Sequence, residues 1–61
     1  MDTKLPEEKL RTVFAALVKV QDDGTNVADS RYLVAQRLGV RLEDVRTAER
    51  LGLENSWPPL T

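Results

Sequence analysis

The apolar positions of this 61-residue chain fall into helical rhythms separated by one polar gap. Leu10, Val13, Phe14, Leu17 and Val20 recur at spacings of three and four, which places them on one face of a helix. Pro6 followed by Glu7 and Glu8 makes a good start for it. Proline lacks the N–H that a first turn leaves unused, and carboxylates favour the positive end of the helix dipole. The first helix is predicted over about residues 6–21, before the turn formers Asp23 and Gly24. The segment DDGTNVADS then reads as a polar loop, at whose end Ser30 or Asp29 can cap a second helix over about residues 30–38. Val34, Ala35 and Leu38 form its apolar stripe, and Val45, Ala48 and Leu51 form that of a third helix over about residues 42–51. Gly52 stands where that helix would stop, with Leu53 folding back on its last turn and residues 53–61 forming a tail.

Between the second and third stripes, Gly39 and Val40 form a break. Two short helices meeting across a tight turn have the grammar of a helix-turn-helix. The small Ala35 lets the helices approach, Gly39 can take a positive φ, and Val40 plugs the corner. Ala35 and Val45 are expected to be buried against the first helix. The fold class predicted is all-α, a single three-helix domain. Arg41, Leu42, Glu43, Arg46, Thr47 and Arg50 are left facing outward, the surface that enters a major groove in such motifs. In this reading Arg41, Leu42, Glu43, Arg46 and Thr47 face the bases, while Ser30, Arg31 and Arg50 contact phosphates.

This stretch resembles the second half of region 4 of the sigma-70 type transcription initiation factors. In that family an apolar and a small residue are followed by a Gly-Val turn and then Thr-Arg-Glu-Arg-Val-Arg-Gln-Ile-Glu. The corresponding run is Arg41, Leu42, Glu43, Asp44, Val45, Arg46, Thr47, Ala48 and Glu49, of which Glu43, Val45, Arg46 and Glu49 match. The resemblance spans residues 30–53 and implies that Glu43 and Arg46 belong to a promoter-reading helix. Arg41 replaces the family's capping Thr, Leu42 and Asp44 each replace an Arg, and Thr47 replaces a Gln. Two basic groups that the family holds near DNA are therefore missing.

Charge and composition qualify this picture. Nine basic and ten acidic side chains give a net charge of −1, where isolated DNA-binding domains usually carry a basic surplus. The distribution is uneven: residues 1–30 sum to −2, while residues 31–50 sum to +2 through Arg31, Arg37, Arg41, Arg46 and Arg50 against Glu43, Asp44 and Glu49. The forked guanidinium suits guanine and phosphate, and it equally suits protein interfaces. With no Cys and no His, the chain offers neither a disulfide framework nor the usual zinc ligands. No phosphate-binding glycine loop, calcium-loop spacing or paired carboxylate in a plausible cleft is present, so no enzyme activity and no cofactor are expected. No apolar run reaches the length of a membrane span or a signal-peptide core, and a cytoplasmic location is expected. The initial Met and the residues after Gly52 suit a complete small chain.

Two positions carry alternatives. Trp57, Pro58, Pro59 and Leu60 either lie along a polyproline-like path as a ligand for another protein's groove, or Trp57 and Leu60 cover the open side of the core. Tyr32 either touches a phosphate or packs with its hydroxyl at the surface. The functional expectation is a sequence-specific DNA-binding protein, a transcription regulator or a sigma-region-4-like module. Its partners would be duplex DNA and, because one motif reads few base pairs, RNA polymerase, another protein or a second copy in a homodimer. The alternative is a small helical protein-interaction module that binds no DNA, with Leu42 and the tail as its adhesive surfaces.

Overall fold

The structure, a computed structural model, describes residues 5–60. Three helices follow in order, α1 (Glu7–Asp22), α2 (Val27–Leu38) and α3 (Leu42–Asn55), each packed on the other two. Among the described residues there is no strand, and the all-α three-helix architecture is as the apolar spacing predicts.

Helix α1 begins at Glu7 behind Pro6, whose backbone is extended (φ −67°, ψ 158°), with Glu7 and Glu8 at the positive end of the dipole. Its five periodic apolar residues, Leu10, Val13, Phe14, Leu17 and Val20, are all buried. Gly24 turns the chain at φ +103°, and the Thr25 N–H donates back to Val20 O at 3.3 Å, closing the helix end.

The second helix starts at Val27, three residues before Ser30. The cap is Asn26, inside the segment read as loop: its side-chain Oδ1 accepts the Asp29 backbone N–H at 2.9 Å. Neither Ser30 nor Asp29 is the cap. Ser30 lies inside the first turn, fully buried, donating to Val27 O at 2.7 Å and accepting from Gln21 Nε2 at 3.1 Å. A short hydroxyl satisfied in this way lets α2 approach the end of α1 without stranding a polar group.

Helix α3 also outruns its expected end. Gly52 is an interior residue of the helix, buried against the Phe14 ring, and the left-handed residue that ends α3 is Ser56 (φ 51°, ψ 47°). Glycine costs a helix interior about 1 kcal/mol relative to alanine, a penalty that close packing on a large ring can offset. Leu53 consequently points away from the core, 60% exposed, and does not fold back on the last turn.

The core gathers Val13, Phe14, Leu17, Val34, Val45 and Ala48, each at most 1% exposed. Val45 is buried as expected; Ala35 is only half-buried, and Val34, one position earlier, occupies the interior instead. Trp57 joins this core from beyond α3. Its ring meets Phe14 edge-on, with centroids 6.3 Å apart and planes at 78°, and the Arg11 guanidinium lies 5.0 Å from its centroid. Glu7 holds that guanidinium from one turn earlier at 2.8 Å. After Trp57 the chain turns, the Leu60 N–H donating to Trp57 O at 3.0 Å, and Pro58, Pro59 and Leu60 remain exposed. Among the described residues no buried side-chain nitrogen or oxygen lacks a hydrogen-bond partner, and no helix is long and apolar enough to cross a membrane.

Candidate nucleic-acid interface

Three residues, Gly39 to Arg41, connect α2 to α3. Gly39 takes the left-handed conformation (φ 66°, ψ 31°), the Val40 N–H returns to Ala35 O at 3.1 Å, and the half-buried Val40 side chain packs against the core. A side chain at Gly39 would find open space, so its conformation, and not crowding, is what favours glycine there. The turn delivers α3 with Val45 and Ala48 inward, which leaves Glu43, Arg46 and Arg50 outward.

The start of α3 is fixed by Asp44. This nearly buried carboxylate accepts the Arg41 backbone N–H at 3.3 Å, Arg41 Nε at 3.3 Å and Arg41 Nη2 at 3.2 Å. It caps the helix from its third position and adds negative charge at the positive end of the dipole. The hydrogen bond to Asp44, then the charges of Asp44 and Glu43, hold the Arg41 guanidinium above its ordinary pKa. Arg41 is exposed, but its guanidinium is engaged by Asp44 and, at 3.7 Å, by Glu43.

Arg31 is tied as well. Its Nη2 and Nε reach Glu49 Oε1 at 2.8 and 3.0 Å, in a half-buried pair that braces α2 against α3. Of the two residues expected to contact phosphate, Ser30 is buried inside the domain and Arg31 is paired with Glu49. Leu42, expected to face outward, is half-buried at the first position of α3.

The remaining expected residues are brought together. Glu43, Arg46, Thr47 and Arg50 line one shallow concavity of about 250 Å³ on the outward side of α3. The Thr47 hydroxyl donates to Glu43 O at 3.1 Å and retains lone pairs toward solvent. Among the described residues, Arg37, Arg46 and Arg50 carry no ion pair. Two free guanidiniums one helical turn apart, beside a carboxylate and a hydroxyl, can bind phosphates and the polar edges of bases. Trp57 is inside the domain, so of the tail residues expected at a protein interface only Pro58, Pro59 and Leu60 are exposed.

The tethers were the part missed from the sequence. The Arg41–Asp44 spacing of three is the spacing of an N-terminal cap and was readable as such; the Arg31–Glu49 pair joins residues eighteen apart and has no local signal. Comparison with protein-family models, curated proteins and solved structures gives no match.

Proposed function

We propose that this protein binds double-stranded DNA, with α3 laid in the major groove as the recognition helix of a helix-turn-helix. The observation that carries this reading is the joint presence of a Gly39-centred turn between two helices and, beyond it, an outward face on which Arg46 and Arg50 are free of intramolecular pairs. Arg46 sits one residue after the buried Val45, in the middle of that face, and reads base edges; Arg50, one turn on, neutralises phosphate. Glu43 repels phosphate and therefore restricts the pose to one in which it meets base donors. The likeness of residues 30–53 to sigma region 4 supports a transcription regulator or a sigma-like module, acting in the cytoplasm.

With Arg31 and Arg41 held by carboxylates, three arginines at most contribute, and one copy would bind DNA weakly. Nonspecific affinities of small basic surfaces are about 10⁻⁴ to 10⁻⁶ M at physiological salt. The reading accordingly includes RNA polymerase or a further protein in the functional complex. Binding of a fluorescent random duplex followed by anisotropy at several salt concentrations tests it. Affinity should fall steeply with salt; a chain that binds no duplex at low salt would leave the second reading, a helical protein-docking module. That second reading is favoured by the exposure of Tyr32, Leu53 and Leu60 and by the net charge of −1.

A further inference from the structure

The outward side of α2 is built differently from the rest of the surface. Ala28, Tyr32 and Gln36 follow one another at spacings of four, with Ala35 and Val40 beside them, so that an uncharged stripe runs the length of the helix in a chain of which 31% is charged. Tyr32 is 65% exposed and projects beside an open concavity of about 430 Å³ that it lines with Ala35, Gln36 and Val40. Along one edge of the stripe runs the row Asp29, Leu33, Arg37, with opposite charges at its two ends. Eight residues of helix separate them by about 12 Å, too far for an ion pair within one chain. Asp29 accepts the Asn26 amide at 2.9 Å, and neither Asp29 nor Arg37 has an ion pair among the described residues.

We propose that this face of α2 binds the same face of a second copy of the chain, the two helices running antiparallel about a twofold axis at Leu33. Asp29 and Arg37 are exposed and lie equally far on either side of Leu33, so Asp29 of each copy lies beside Arg37 of the other. A single surface thereby carries both halves of its own complement, which is the condition for an isologous dimer. Parallel pairing would set Asp29 beside Asp29 and Arg37 beside Arg37, and like-charge repulsion excludes it. The two Tyr32 rings flank the axis and enter the opposing concavities, supplying the apolar area, while the charges fix direction and register. Arg31, the other cation of α2, is engaged by Glu49 on the far side and does not compete.

The proposal is independent of DNA binding and is tested without DNA. Sedimentation equilibrium of the whole chain from micromolar to millimolar protein should show the mass rising from 6.9 kDa toward twice that value. Asp29→Arg alone and Arg37→Asp alone should each weaken self-association by about tenfold or more, Tyr32→Ser should do the same, and the double exchange Asp29→Arg with Arg37→Asp should restore it. Circular dichroism checks that each variant keeps its helices. A chain that stays monomeric at millimolar concentration overturns the proposal, as does self-association that ignores the single exchanges or is not rescued by the double one.

Discussion

Gly52 of α3 lies flat against the ring of Phe14 in α1, so close that a Cβ placed on it would fall within the van der Waals surface of the ring. The absence of a side chain at this one position sets the spacing of α1 and α3. Gly52→Ala should therefore destabilise the domain by about 1 to 3 kcal/mol, although alanine is the better helix former. At about 4 to 8 °C per kcal/mol for a domain of this size, thermal melting followed by circular dichroism would register it. A melting temperature equal to or above that of the wild type would mean that the helices can separate freely at this contact.

Trp57 extends the same cluster from outside the helices, packed on Phe14 and covered by Arg11. Its native fluorescence should be blue-shifted relative to the urea-unfolded chain. Trp57→Ala should cost about 3 to 5 kcal/mol, a large share of what so small a domain possesses. Arg11→Ala should cost no more than about 1 kcal/mol, since the cation lies on the exposed side of the ring. Native emission at the wavelength of a hydrated indole would contradict the packing.

Much of this arrangement was legible in the residues themselves. The three-and-four spacing of Leu10 to Val20 and the Gly39 break located α1 and the turn, because both signals act within a few residues. What was not legible depended on contacts distant in sequence. Gly52 resembles a helix stop until Phe14 is known to lie beside it, and Ser30 resembles a cap until Gln21 is seen to donate to it. The exposed positions of Glu43, Arg46 and Arg50 follow from that of Val45, while Leu42 and Thr47, expected on the same face, are half-buried. Availability was not legible, since the pairing of Arg31 with Glu49 is decided by how α2 crosses α3.

Asp44 opposes two demands on α3, and its replacement separates them. Asp44→Asn should cost on the order of 1 to 2 kcal/mol through the weakened cap. It should also release Arg41 and remove a negative charge from the proposed DNA face, so duplex affinity should rise at low salt and its salt dependence should steepen by about one unit. Urea unfolding and anisotropy titrations on the same variant measure the two effects. Loss of stability with loss of affinity, in a variant still folded at the temperature of the assay, would place Arg41 and Asp44 outside the contact surface.

The central claim, that the outward face of α3 holds duplex DNA through the arginines left free, is tested most directly by a nuclear magnetic resonance titration of the labelled chain with a random duplex at low salt. Amide shifts should concentrate from Leu42 to Arg50 and leave the Arg11–Trp57 side unchanged. Arg50→Ala should weaken every sequence and flatten the salt slope by about one unit, whereas Arg46→Ala should cost about 1 to 3 kcal/mol on a preferred sequence and relax base preference. An unperturbed spectrum at saturating duplex, or shifts confined to other faces of the domain, would contradict the claim.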